Sequence, residues 1–312
     1  MKDYAFGVDI GGTTIKLGLF ETKGNLLEKW EISTITTNNG KQIMPDIALA
    51  IENKLKERNI FASEIEGIGI GVPGPVLDDS IVNKCVNLGW GIVDVAEDLR
   101  RLTGIEKIKV GNDANVAALG EMWKGAGIGH KNVVMVTLGT GVGGGIVLNG
   151  QIVSGCHGAA GEIGHIKLNE HEEEKCGCGK KGHLEQYASA TGIVRKSQEL
   201  LRDTNRNSVL RDIHHLTAKE IFDSARKQDE LALEVVEFAC HQLGLAMAHI
   251  ADVIDPEIFV IGGGVSKAGE ILLEGVKKYY TEAVFHTCEH TEIALARCGN
   301  DAGMYGAVKM IL

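Results

Sequence analysis

The apolar positions of this chain fall in short runs broken by glycine turns. Residues 4–10 form one run, which stops at Gly11-Gly12-Thr13-Thr14; residues 15–20 form a second, a turn follows at Lys23-Gly24-Asn25, and residues 26–32 form a third. Short apolar runs bounded by turn residues predict strands. The same succession returns at residues 132–138, 139–145, 146–148, Asn149-Gly150 and Ile152-Val153, which predicts a duplicated unit. Each half continues with amphipathic helix signals and a buried strand that ends in glycines. These strands are residues 65–71 before Val72-Pro73-Gly74-Pro75, and residues 258–261 before Gly262-Gly263-Gly264-Val265. The second half also inserts helices over roughly 188–253. Apolar strands interleaved with helices predict α/β layers with sheets covered on both faces, here as two domains enclosing a cleft. The junction is placed near residues 113–131. The smaller domain covers 1–116, with a last helix over 301–312 packing back on it, and the larger covers 117–300.

Length agrees, since 312 residues suit two domains at about 150 residues each. Lys and Arg total 32 against 42 for Asp and Glu, and a net charge of -10 argues against a nucleic-acid partner held by its phosphates. No uninterrupted apolar run reaches the roughly 18 residues of a membrane span, and the start carries Asp3 where a signal peptide would carry bases. A cytoplasmic protein without a membrane partner is expected. Seven cysteines are an odd and dilute set, pointing to thiols or metal ligands rather than disulfides. Forty-one glycines against 4 prolines, without a period, belong to structured turns.

Those turns suggest chemistry. In Asp9-Ile10-Gly11-Gly12-Thr13-Thr14-Ile15-Lys16 the backbone can approach an anion closely, with amides and two hydroxyls as donors. Asp9 is placed to hold the hydrated Mg²⁺ of a nucleotide. The turn runs into a strand, so it is neither a P-loop nor a dinucleotide fingerprint, both of which open a helix. Alone it could be a hairpin with glycine at its bend. A second turn in the corresponding place, Gly139-Thr140-Gly141, favours phosphate binding by both, with Gly262, Gly263, Gly264 and Val265 beside the nucleoside.

Asp113, in Gly111-Asn112-Asp113-Ala114-Asn115, follows a buried run and starts a helix. It could be an N-cap or, facing phosphate turns across a cleft, the base that takes the proton of an attacking hydroxyl. Asn112 offers a donor and an acceptor to neighbouring hydroxyls. Glu162, His165 and Glu185 add the polar groups that recognition of a polyol needs. Cys176-Gly177-Cys178-Gly179-Lys180-Lys181-Gly182-His183 concentrates two thiols and an imidazole in a glycine-rich loop. His165 can complete a closed structural zinc site, with His171 as a competing ligand. A basic turn with two free thiols is the alternative.

These residues resemble the ROK family of sugar kinases and sugar-responsive repressors, within the actin-like ATPase superfamily. The match runs from residues 8–13 through Gly71-Val72-Pro73-Gly74-Pro75, Asn87-Leu88-Gly89-Trp90 and Asn112-Asp113-Ala114-Asn115 to residues 158–165. Residues 184–192 look like the family's bacterial glucokinase branch. The resemblance implies two actin-like (ribonuclease H-like) domains, with a zinc-binding loop in the second, and ATP- and Mg²⁺-dependent phosphorylation of glucose at its 6-hydroxyl. It makes Asp113 the base and places Gly74, Asn87, Asn112, Glu162, His165 and Glu185 on the sugar. It assigns Gly11 to Thr14, Lys16, Gly139 to Gly141 and 262–265 to ATP. An N-acetylmannosamine or other hexose kinase is the alternative substrate reading. A non-catalytic sugar-sensing regulator is the alternative class; a repressor would need a helix-turn-helix ahead of a first strand that begins near Tyr4. A homo-oligomer, dimer or tetramer, is implied only by the family. One departure stands out: the family's zinc pattern has a third cysteine where this chain has His183. The expected ligands are His165, Cys176, Cys178 and His183.

Overall fold

The computed structural model describes residues 2–312. Its first sheet is built from β1 (Tyr4–Ile10), β2 (Thr14–Glu21), β3 (Leu26–Ser33), β4 (Ile65–Val72) and, after three short strands, β8 (Ile108–Asn112). The order is β3-β2-β1-β4-β8, with the first three strands antiparallel and β1, β4 and β8 parallel. The short strands β5 (Val76–Leu77), β6 (Ile81–Cys85) and β7 (Trp90–Asp94) form a separate antiparallel sheet. Helices α1 (Ile43–Arg58), α2 (Val95–Thr103) and α3 (Asp113–Lys124) complete this stretch. The core has the alternating origin expected of a covered sheet: Phe6, Val8, Ile15, Leu17, Ile68 and Ile70 are buried with Ile47 and Ile51 of α1.

The second sheet repeats the order. Its strands are β9 (Val133–Leu138), β10 (Val142–Leu148), β11 (Gln151–Ile152), β12 (Ile258–Gly262) and β13 (Glu292–Leu295), arranged β11-β10-β9-β12-β13. β11 therefore corresponds to β3 and β13 to β8, which is the duplication read from the repeated turns. Helices α4 (Ala190–Asp203), α5 (Ala218–Arg226), α6 (Glu230–Ile254) and α7 (Glu270–Ala283) belong to the second half, and α8 (Ala302–Ile311) ends the chain.

Two compact units result. Unit 1 is Met1–Val133, Gly145–Gly161 and Arg297–Leu312, and unit 2 is Val134–Gly144 and Glu162–Ala296. In unit 1, α8 packs on α3 and on strands β1 and β4. The approach is backbone to backbone: a Cβ on Gly69 of β4 would lie 1.7 Å from the carbonyl oxygen of Ala307, so only glycine lets the helix settle there. In unit 2, α6 is 25 residues long and apolar enough to span a membrane by composition. Leu231, Val235, Ala239, Leu243, Met247 and Ile250 are nevertheless buried within the protein, so its hydrophobicity serves the core.

Candidate functional site

Unit 1 carries the first glycine turn between β1 and β2. Its bend is closed by the Gly11 amide donating to the Thr14 carbonyl at 3.0 Å. A Cβ on Gly12 would meet nothing within 4 Å, so the outer side of the turn is open to a ligand. Asp9, the last polar residue of β1, sits opposite Lys16 in the β1–β2 pairing. Burial pushes the Asp9 carboxyl up to about 6; Lys16 pulls it down and the charge of Asp113 pushes it up again. Asp9 and Asp113 thus share one electrostatic environment. The Lys16 ammonium donates to the carbonyl of Asn300 at 3.0 Å.

At the end of β8, the N-cap of α3 is Asn112 and not Asp113. The Asn112 side-chain oxygen accepts from the amides of Ala114 at 3.1 Å and Asn115 at 3.2 Å, and its amide donates to the Gly74 carbonyl at 3.2 Å. Asn112 therefore fixes the start of α3 and the Gly74 loop together. Asp113, freed from the cap position, accepts from the amide of Ala114 through one oxygen at 2.8 Å. A further acceptor, Asn115, is 2% exposed and accepts from the amide of Ile146 at 3.1 Å, which makes it structural. Asn87 is exposed in the one-turn helix Val86–Leu88.

In unit 2, the second glycine turn is fastened by the start of α4. The amide of Ala190 donates to Gly139 O at 2.8 Å, and the Thr191 hydroxyl donates to Thr140 O at 2.7 Å. Gly263, at φ 85°, lies so close to β9 that a Cβ would stand 2.4 Å from the carbonyl of Leu138. That contact brings residues 262–265 beside the turn. Between them opens a cavity of about 470 Å³ lined by Gly139, Thr140, Gly264, Val265, Ala218 and Phe222. It is largely apolar with charged groups at its rim, Lys219, Asp223 and Arg226 among them, which suits a planar base with a polar tail. Sequence reading missed the contribution of α5. The one available signal was the apolar face Ala218, Ile221, Phe222 and Ala225, which reads equally as plain core.

The turn's other flank faces the cysteine loop. Gly141 lies against Glu185, whose Oε2 would be 2.8 Å from a Cβ there. The other Glu185 oxygen accepts from the Cys176 thiol at 2.7 Å. His165, Cys176, Cys178 and His183 form one group, with their ligand atoms all within 4.8 Å of one another. The Cys176 Sγ to His165 Nδ1 distance is 3.7 Å, and Cys178 Sγ to His183 Nδ1 is 3.3 Å. A tetrahedral zinc with ordinary bond lengths sets neighbouring sulfur and nitrogen ligands about 3.5 Å apart. The donors fit that ion. His171 lies outside the group. The His183 nitrogen nearest Cys178 is Nδ1, the ring nitrogen closer to its backbone. The Nε2 of His165 lies 3.8 Å from Glu162 Oε2.

Burial holds the Cys176 thiol up to about 12, helped by its hydrogen bond to Glu185, and burial lowers the basicity of His183. Metal entry would therefore have to release the Cys176 proton. The loop is ordered by protein contacts as well: the Gln186 side-chain oxygen accepts from the amides of Gly182 and His183, and Arg195 bonds Glu172, Glu174 and the carbonyl of Gln186. Arg195 and Glu172 carried no sequence signal, because their pairing spans 23 positions without a motif.

Two sheets of one order, each with a glycine turn between its central hairpin strands, define a class of duplicated α/β fold of ribonuclease H-like order. Within that class the chain belongs to the ROK family, whose model matches residues 5–312. It is 44% identical to a glucokinase of Halalkalibacterium halodurans, over 96% of this chain and 92% of the relative. It is 31% identical to an N-acetyl-D-glucosamine kinase of Histophilus somni, over 98% of each chain. A ROK family glucokinase from Streptomyces griseus, solved in complex with glucose and AMPPNP, superposes with a TM-score of 0.76 at 32% identity, covering 98% of both chains.

Proposed function

We propose that this chain is a glucokinase that transfers the γ-phosphoryl group of ATP to the 6-hydroxyl of D-glucose. The observation that carries the reading is the full-length similarity to the glucose- and AMPPNP-bound glucokinase, on a chain with Asp113 in the first turn of α3 and an apolar cavity beside its second glycine turn. Asp113 takes the proton of the 6-hydroxyl as that oxygen bonds the γ-phosphorus. The bond to the β–γ bridging oxygen breaks, and ADP leaves with the electron pair. Gly74, Asn87, Asn112, Glu162, His165 and Glu185 are the residues assigned to the hydroxyls of the sugar. Gly11 to Thr14, Lys16 and Gly139 to Gly141 cradle the phosphates, while 262–265 and the apolar cavity take the nucleoside. Asp9 would hold Mg²⁺, which supplies charge neutralisation at the phosphates. His165, Cys176, Cys178 and His183 would hold zinc, which would supply a structural cross-link that keeps Glu185 and His165 in place.

A coupled ADP-release assay across a panel of hexoses tests the reading. Turnover dependent on glucose and yielding glucose 6-phosphate is expected. The 31% identity to an N-acetyl-D-glucosamine kinase favours N-acetylated hexoses as the second substrate class. Turnover with those sugars alone would move the substrate, and no sugar-dependent turnover would refute the proposal.

The buried Asp9 adds a pH signature. Its folded pKa near 6 exceeds the unfolded value, so between about pH 4 and 6 the folded state binds more protons and stability falls as pH rises. By pH 7 the ionised carboxylate costs on the order of 2–3 kcal/mol. Asp9→Asn should therefore be the more stable protein above pH 6 in urea titrations, with the difference fading towards pH 4, while its affinity for Mg-nucleotide drops. A stability difference independent of pH would overturn the assignment.

A further inference from the structure

The segment after β3 has no part in the chemistry above, yet it touches both the Gly11 to Thr14 turn and the loop that carries Asn87. At its start, the Thr34 amide donates to Thr13 O at 2.9 Å and the Thr34 hydroxyl to Gly11 O at 2.7 Å. The first phosphate turn is thereby tied to Thr34 at two points. A few residues on, Asn38 and Asn39 stand at φ 53° and 59°, and Gly40 at 63°, three consecutive residues in the left-handed region. A run of three residues there, two of them not glycine, persists where surrounding contacts impose it.

The contacts are with the loop that carries Asn87. The Trp90 indole nitrogen, buried, donates to Gly40 O at 3.3 Å. A Cβ on Gly40 would stand 2.5 Å from the carbonyl of Leu88, and one on Gly89 would stand 3.2 Å from Asn39 Cα. The two backbones fit without space for a side chain between them. Leu88 is fully buried and Trp90 is 5% exposed, so this junction is core and not surface.

We infer that residues 34–40 form a strap through which the phosphate turn and the sugar loop bind their ligands cooperatively. Seven residues, pinned by hydrogen bonds at one end and by interlocked backbone at the other, leave little slack. A shift of Gly11 to Thr14 onto phosphate is passed to Asn87 through Thr34, Asn39 and Trp90, which are positioning residues. Coupling between two sites is reciprocal, so glucose must tighten nucleotide by the factor by which nucleotide tightens glucose. This inference rests on the proposed assignment of phosphate to Gly11 to Thr14 and of sugar to Asn87.

Calorimetry of glucose binding, without and with saturating Mg-AMPPNP, measures the coupling directly. The parent protein should gain about 5-fold or more in glucose affinity with the nucleotide present. Thr34→Val deletes the hydroxyl donor to Gly11, and Trp90→Phe deletes the donor to Gly40. In each variant the factor should fall towards 1 while either ligand alone still binds. A factor unchanged in both variants, or a factor of 1 in a parent protein that binds both ligands, overturns the strap and leaves the kinase reading standing. A parent protein that binds neither ligand overturns the site assignment and the strap with it.

Discussion

Replacing Asp113 by asparagine should leave glucose affinity within a few-fold of the parent and lower turnover by about 10²- to 10⁴-fold, the usual contribution of a general base. The structure makes this substitution clean. Asn112 caps α3, so Asp113 is not needed to start the helix, and an asparagine at 113 keeps an oxygen for the amide of Ala114. The substitution removes the proton acceptor together with one negative charge. Because that charge raises the Asp9 pKa, the variant should also hold Mg-nucleotide slightly better at pH 6 than the parent does. Single-turnover kinetics with calorimetric glucose binding would check both halves. Turnover within a few-fold of the parent would remove Asp113 from the base role.

The second large effect concerns zinc. Protein dialysed against metal-free buffer should retain about one zinc equivalent, as closed structural sites bind tightly, and Cys176→Ala or His183→Ala should retain less than about half. His183→Cys should keep the metal, since it restores the family's third cysteine within a loop already folded around that position. Loss of zinc should raise KM for glucose far more than it lowers kcat. The physical reason is placement: His165 joins the cluster through Nδ1 and faces Glu162 through Nε2, and Cys176 bonds Glu185. The cluster belongs to unit 2, whereas Asp113 belongs to unit 1. The Arg195 and Gln186 contacts should keep the loop compact without metal, so circular dichroism would change little. An equal fall in kcat and kcat/KM on zinc loss, with KM unchanged, would show that the site acts on the chemistry rather than on sugar placement.

The sequence by itself determined the local elements and their repetition. Runs of apolar residues broken by Gly11-Gly12 and by Gly139-Thr140-Gly141 specify strands and tight turns, because burial and backbone freedom are properties of neighbouring residues. The grouping of two thiols and an imidazole within residues 176–183 was legible for the same reason. Tertiary structure decided what depends on distant partners. It made Asn112 rather than Asp113 the cap, with the Asn112 amide held by Gly74, 38 positions away. It chose His165 over His171 for the metal group, since the loop's path and not its spacing brings Nδ1 of His165 to 3.7 Å from Cys176. It set Phe222 of an ordinary amphipathic helix in the wall of a cavity, and it held Asn38 and Asn39 left-handed beneath the Asn87 loop. Periodicity records which residues leave water, whereas these outcomes depend on which buried groups meet, and that is settled only when segments far apart in the chain pack together.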